Sequence, residues 1–295
     1  MHRVAKISLL LITYGFVFIM TGCLGAESEA ERPIQFAFVP SVEAEAIELE
    51  LEEFDSRLSE MIGHPVESDV VLNYTACIEQ MGAGRTDVAM LPSLAYVLAS
   101  ERYGVEVQLK AVRKGTAMYR GEIITRSDSG IESVEDLVGR TFSFTDAAST
   151  SGHLYPKSML IDNGIDPDND LAEYDFLGGH TAVVTSVYQG RVDAGACFDD
   201  ARIRMEETYP DIMDQIVVIG YTEWIPADTV SFRSGLDEEL VTKLVDALIE
   251  LSKEEDSIMY RIYQIEELVP AADSDYDEIR DKVAQLEYDI ESGLE

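Results

Sequence analysis

Positive charge is scarce in this chain. Its 295 residues carry 22 Lys+Arg against 57 Asp+Glu, a formal charge of −35. A surface of that sign repels nucleic-acid backbones and anionic membrane surfaces, so neither is expected as a partner. It also repels free anions at long range, so an anion can be held only in a local, preorganised pocket. Cysteine is scarce too. There are three, Cys23, Cys77 and Cys197. No CxxC and no clustered His/Cys spacing accompanies them, so a metal site has no ligand set to build on and no cofactor is called for. Cys77 and Cys197 read as two unpaired, buried thiols. A Gly-x-Ser-x-Gly elbow is absent, which removes one signature of a hydrolase nucleophile. Long apolar runs are missing as well. The one candidate, Ile7 to Met20, is interrupted by Ser8, Thr13, Tyr14 and Gly15 and is too short for a comfortable membrane span.

That apolar run follows His2-Arg3 and Lys6, which makes residues 1–22 a signal peptide. It ends in Met20-Thr21-Gly22-Cys23, which resembles the lipobox of bacterial lipoproteins. Cys23 is then expected to be lipidated and to hold the protein on the extracytoplasmic face of the cell membrane. Residues 23–32 form a polar, acidic tether. Cleavage removes Arg3 and Lys6 and no acid, so the charge moves from −35 to −37. Hydrophobic residues make up 46% of the chain, enough to build a core. The length allows two modest domains or one large one.

From Pro33 the pattern alternates between short apolar strands and amphipathic helices. Ile34 to Val112 reads β-α-β-α-β-α-β, the signature of an α/β domain with a largely parallel sheet. Ile47, Leu51, Phe54, Leu58 and Ile62 mark its first helix. Gly84-Arg85-Thr86-Asp87 and Gly190-Arg191-Val192-Asp193 repeat a Gly-Arg-x-Asp pattern, each between a helix and a strand, hinting at two lobes of similar construction. A strand over Gln215–Ile219, a second over Thr229–Arg233 and a helix over Leu236–Leu251 follow. The tail, with Ile262, Ile265, Val269, Val283, Leu286 and Ile290, reads as helical.

One stretch stands apart. The strand Arg140–Phe144 runs into Thr145-Asp146-Ala147-Ala148-Ser149-Thr150-Ser151-Gly152, and a helix over Leu154–Asn163 follows. Three hydroxyl residues and a glycine thus sit where a helix begins. First-turn N–H groups lack partners inside the helix and that end carries partial positive charge. One Ser would be an ordinary cap. Three in a row exceed what a cap needs, and Ser149, Thr150 and Ser151 read as a seat for a tetrahedral oxyanion.

Taken in order, the landmarks resemble the phosphonate/phosphite/phosphate-binding components of ABC transporters (PhnD-like). They are Tyr74 opening its helix, Gly84-x-x-Asp87-Val88-Ala89, Pro92-Ser93, Tyr119-Arg120 and Asp128-Ser129-Gly130-Ile131. Then come Asp136-Leu137-x-Gly139, Asp146-x-x-Ser149-Thr150-Ser151-Gly152, Gly179-His180, Gly190-x-Val192-Asp193-Ala194 and Ile225-Pro226-x-Asp228. The resemblance spans roughly residues 34 to 250. It implies a two-lobed periplasmic-binding-protein fold of type II, with the ligand in the cleft between lobes and two hinge crossings. Lobe one would comprise residues 33–117 and 228–295, and lobe two residues 118–227. The resemblance also implies roles. Ser149, Thr150, Ser151 and His180 would hold the phosphonyl oxygens, with the charge of His180 open. Tyr74 and Tyr119 would close on the ligand. Asp200 and Asp228 would face the ammonium of an aminoalkylphosphonate, or accept a proton-bearing ligand oxygen.

The implied job is capture of phosphonate, phosphite or phosphate by a monomeric lipoprotein that delivers it to an ABC permease and ATPase. A sensor subunit presenting the oxyanion to a membrane signalling partner is the alternative on the same fold. Sulfonates or a phosphorylated vitamin are alternative ligands. A Ser-His-Asp hydrolase assembled from Ser149 or Ser151 with His180 is the competing chemistry.

Overall fold

A computed structural model describes residues 32–288. The signal peptide, Cys23, the tether as far as residue 31, and Ile290 lie outside those residues. In chain order the elements are β1 (Ile34–Phe38), α1 (Ala44–Ile62), β2 (Val66–Val70), α2 (Tyr74–Gly82), β3 (Val88–Leu91), α3 (Ser93–Tyr103) and β4 (Glu106–Val112). A central block follows: β5 (Met118–Arg126), β6 (Thr141–Phe144), α4 (Tyr155–Asp162), α5 (Pro167–Asp170), β7 (Glu173–Phe176), α6 (His180–Tyr188), β8 (Ala194–Phe198), α7 (Ile212–Gln215) and β9 (Ile216–Pro226). The chain closes with β10 (Thr229–Phe232), α8 (Glu238–Ser252), α9 (Ile258–Tyr263), β11 (Glu267–Pro270) and α10 (Asp277–Gln285).

Two sheets result, one per lobe, with strand orders β11-β4-β10-β3-β1-β2 and β7-β6-β8-β5-β9. In the first, β2, β1 and β3 are parallel and β10 runs against β3 and β4. In the second, β7, β6 and β8 are parallel and β5 runs against β8 and β9. The two lobes therefore share one plan, a parallel trio beside an antiparallel strand. The repeated Gly-Arg-x-Asp pattern has a physical reason in that plan. The Asp87 carboxylate accepts the Gln35 N–H at 2.9 Å, and the Asp193 carboxylate accepts the Thr141 N–H at 2.9 Å. Each aspartate precedes one strand of a parallel pair and satisfies an amide near the start of its neighbour, β1 or β6. Such an amide is costly to bury without an acceptor.

The core of lobe one follows from its helical stripes. Ile47, Leu51, Phe54, Leu58 and Ile62 of α1 are buried, and Gly63 ends the helix in the left-handed conformation. Leu244, Leu248 and Leu251 of α8 pack into the same cluster. Phe36, Phe38 and Phe54 meet there with ring centroids about 5 Å apart.

Three expectations are corrected. While the strand expected over Thr229–Arg233 is present as β10, the one expected over Gln215–Ile219 begins at Ile216 and runs on to Pro226. Gly220 stays in it because a side chain there would strike Met159 of α4 at 2.3 Å. The tail is not helical throughout. Gln264 takes a left-handed φ of 54°, stopping α9, and β11 then adds to the edge of β4. The helix after the hydroxyl stretch begins earlier than Leu154, through a π-turn over Thr150–Leu154. Cys77 in α2 and Cys197 in β8 are buried free thiols. Among the described residues no helix is long and apolar enough to cross a membrane.

Two short segments join the lobes, between β4 and β5 and between β9 and β10. They lie side by side: the Ala227 N–H donates to Ala117 O at 3.0 Å and the Ala111 N–H to Asp228 O at 2.9 Å. The lobes also touch away from these segments. The Tyr74 N–H reaches the Asp146 carboxylate at 3.4 Å, the Leu94 N–H donates to Thr150 Oγ1 at 2.8 Å, and the His180 N–H donates to Ser41 O at 3.1 Å. The cleft between the lobes is closed in this structure.

Candidate ligand-binding cleft

A cavity of about 540 Å³ lies between the lobes. Tyr74, Tyr119, Ser149, Ser151, His180, Asp200 and Asp228 all line it. The fold thus brings together residues more than 150 positions apart in sequence. Thr150 does not line it. Its Oγ1 faces lobe one and accepts the first-turn N–H of α3 from Leu94.

The hydroxyl stretch is shaped by its π-turn. The Leu154 N–H reaches back five residues to Ser149 O at 3.1 Å. Ser149 Oγ accepts the Gly152 N–H at 3.1 Å, which leaves its own proton free to donate into the cleft. Gly152 is required by space. A Cβ there would meet Thr145 Oγ1 at 2.2 Å. Thr145 in turn donates to Ala196 O and sits 3.2 Å from His180 Nδ1. Glycine, threonine and histidine are one packed unit behind the serines.

His180 opens α6 and is buried. Its Nδ1 accepts the Phe198 N–H at 3.1 Å. An acceptor cannot carry a proton, so the ring proton resides on Nε2. Burial, followed by the charge of Arg204, pushes its pKa down to about 3. The histidine is therefore a neutral donor at ordinary pH. Tyr74 is fully buried, and burial followed by the Asp146 carboxylate holds its phenol well above its ordinary value. Desolvation does the same for Tyr119, offset by the hydroxyls of Ser151 and Thr150. Both tyrosines remain protonated donors. The cleft thus offers Ser149, Ser151, Tyr74, Tyr119 and His180, all uncharged, to whatever it holds.

The two acids have partners. Asp228 is paired with Arg113 at 2.8 Å, and Asp200 with Lys114. Asp200 adopts a left-handed φ of 73°, and its N–H bonds the buried Glu122 carboxylate. Asp199, beside it, is paired with Arg120 at 2.8 Å. The fourth base of the wall, Arg204, has no acid. Its Nη1 donates to Ile262 O at 3.3 Å, and its Nε is buried without a partner. Sequence reasoning passed over these four bases. Their signal was scarcity: in a chain with 22 Lys+Arg, four on one cavity wall is a concentration. His153, one residue past Gly152, is buried behind the site. Its Nδ1 contacts Ala147 O at 2.9 Å, and its ring meets Phe144, Phe176 and Tyr288.

Among the described residues no cluster of His, Cys, Asp and Glu is suited to a metal ion.

Comparison with known proteins finds relatives that match most of the chain. The profile described as "ABC transporter, phosphonate, periplasmic substrate-binding protein" matches residues 36–276. The phosphate-import protein PhnD of Mycolicibacterium smegmatis is 27% identical over 271 residues, covering 84% of each chain. The phosphonates-binding periplasmic protein of Escherichia coli is 23% identical over 245 residues, covering 79% of this chain and 71% of its own length. Among solved structures, a binding component of a phosphonate ABC transporter from Pseudomonas aeruginosa superposes with a TM-score of 0.79 at 24% identity, over 85% of both chains. PhnD1 of Prochlorococcus marinus, solved in complex with methylphosphonate, gives 0.79 at 18% identity, covering 87% of this chain and 99% of its own. At these identities the structural matches establish the fold alone: the two-lobed α/β binding-protein architecture.

Proposed function

Because the chain belongs to the family of periplasmic substrate-binding proteins of phosphonate ABC transporters, we propose that its cleft captures phosphonate, phosphite or phosphate and that the closed form delivers the ligand to a membrane permease coupled to an ATPase. Proteins of this family work outside the cytoplasmic membrane, and lipid at Cys23 would hold this one there. Residues 33–117 and 228–295 act as one lobe and 118–227 as the other, turning about the paired segments between them. Transport is favoured over sensing because the matching family is named for transporter components.

The observation that carries the ligand class is the convergence of uncharged donors on one cavity. Ser149, Ser151, His180, Tyr74 and Tyr119 all line it, and each carries a hydroxyl or ring N–H that can donate. Such preorganised donors suit an oxyanion and leave it unreacted. The relatives' names point the same way: phosphate import, phosphonate binding, and a methylphosphonate complex. The cleft binds without turnover. His180 Nδ1 is occupied by the Phe198 N–H and Nε2 carries a proton, so no imidazole lone pair is available to activate Ser149 or Ser151.

The test is calorimetric titration of the full chain, in mild detergent, with methylphosphonate, phosphite, phosphate and methanesulfonate. Saturable binding of at least one of the three phosphorus oxyanions is expected. Ser151→Ala should weaken it by about 10- to 100-fold, the effect of one hydrogen bond to a charged group, with the thermal midpoint unchanged. Binding of methanesulfonate alone would show the ligand class to be wrong.

A further inference from the structure

The acids of the cleft are matched by bases, and one base is left over. Asp228 is held by Arg113, Asp200 by Lys114 and Asp199 by Arg120. Glu266 lies at the exposed edge of the cavity, its carboxylate taken up by the Gly115 N–H at 2.9 Å. Arg204 alone is uncompensated. Among the described residues it makes one hydrogen bond, to Ile262 O, and no ion pair, and its Nε is buried without an acceptor. Leaving a buried guanidinium donor unmet is expensive. Its surroundings worsen the cost: desolvation and the nearby Arg113 guanidinium both depress its pKa, and the carboxylate that relieves it, Glu43, is solvent-exposed. Two guanidiniums, Arg113 from one lobe and Arg204 from the other, thus lie close enough on the cavity wall for each to feel the other's charge.

The place of Arg204 matters. It follows β8 by six residues and leans on α9 of lobe one, next to Tyr263 and Gln264. Ser149 and Ser151 belong to the other side of the site, beside Tyr119 and the start of α3. The two serines and Arg204 therefore have different neighbours, although the Arg204 charge is felt at His180. The cavity, at about 540 Å³, is of the size that takes a substituted ligand rather than a bare tetrahedral ion.

Resting on the proposed function above, we infer that Arg204 receives a second anionic group on the ligand's substituent, so that the cleft selects phosphonates bearing a carboxylate over those bearing an ammonium. The acids are structural counter-ions for Arg113, Lys114 and Arg120, and an ammonium entering the cleft would have to displace one of these bases. A carboxylate would meet an unpaired guanidinium already desolvated for it.

The measurement is calorimetric titration of the full chain in mild detergent with phosphonoacetate, methylphosphonate and 2-aminoethylphosphonate, repeated on Arg204→Gln and Arg204→Lys. The expected result is phosphonoacetate binding at least tenfold tighter than the other two. That advantage should shrink below threefold in Arg204→Gln and be partly kept in Arg204→Lys, which preserves the charge and serves as the check should the glutamine variant not fold. Equal affinity for phosphonoacetate and methylphosphonate overturns the inference while leaving the phosphonate reading intact. So does an equal loss for both ligands in Arg204→Gln, which would put Arg204 on the phosphonyl group itself. Tightest binding of 2-aminoethylphosphonate returns the acids to the ammonium and overturns it too. Binding of none of the three removes this inference, and phosphite and phosphate titrated alongside then decide whether the ligand class beneath it stands.

Discussion

His180 owes its role to one backbone amide. The Phe198 N–H fixes the imidazole tautomer, and burial keeps the ring neutral. Between about pH 5 and pH 8, affinity should then follow the ionisation of the ligand and show no step near the ordinary histidine value of about 6.5. Titrations across that range check this. Stability carries the opposite mark. His153 is also held low, to about 4, chiefly by burial among rings. The unfolded chain takes up its proton near pH 6.5, the native one only near 4, so stability falls as pH drops through that window and rises as pH climbs. His153→Phe should narrow the gap in thermal midpoint between pH 7 and pH 5 by several degrees, as a few kcal/mol of coupling implies. Ala147 O keeps an acceptor's role in that variant through Tyr288. Gly152→Ala tests the packing behind the site. Its methyl would drive Thr145 against His180 and press on Ser149 Oγ, 3.0 Å away, and affinity should fall tenfold or more.

At the scale of elements, the aspartates that open β3 and β8 are the joints of the two sheets. Asp87 is buried, accepts the Gln35 N–H and is paired with Arg233. Asp87→Ala removes a buried carboxylate that serves both Arg233 and the Gln35 amide, a loss of about 3–5 kcal/mol, readable as a large fall in chemical-denaturation midpoint. Asp193→Ala loses two bonds to Thr141 but strands no charge, and should cost less. This repeat was legible as a pattern in the sequence, because a carboxylate at the mouth of a parallel pair leaves the same short signature twice. The hydroxyl stretch was legible for a similar reason: local chemistry announced itself. Its π-turn was not, since it depends on Gly152 folding back against Thr145. The β11 strand was hidden because Ile262, Ile265 and Val269 keep a helical period until Gln264 breaks it. Arg204 was invisible because nothing local separates it from Arg202, which is buried and donates to Ile216 O.

The whole molecule is a pair of lobes whose contacts run through the residues around the site. The Thr150 hydroxyl holds the start of α3, and the Asp146 carboxylate holds the start of α2. Both are in the motif read from the sequence as ligand-binding, yet they face across the cleft. Thr150→Val should therefore weaken every ligand by a similar factor, roughly 3- to 10-fold, because it changes the open–closed balance and not the contacts with any one ligand. Scattering in solution should show a larger radius of gyration for that variant at subsaturating ligand. Loss confined to one ligand would place Thr150 on that ligand instead.

The closed cleft also sets a clock. With the Ser41, Leu94 and Tyr74 contacts made, the lobes hold the way out narrow, so a captured molecule's dwell time should follow the waiting time for their separation. Ligands that differ in grip but leave those contacts alone would depart at nearly one common pace. Their affinities would then differ in how readily they persuade the lobes to shut.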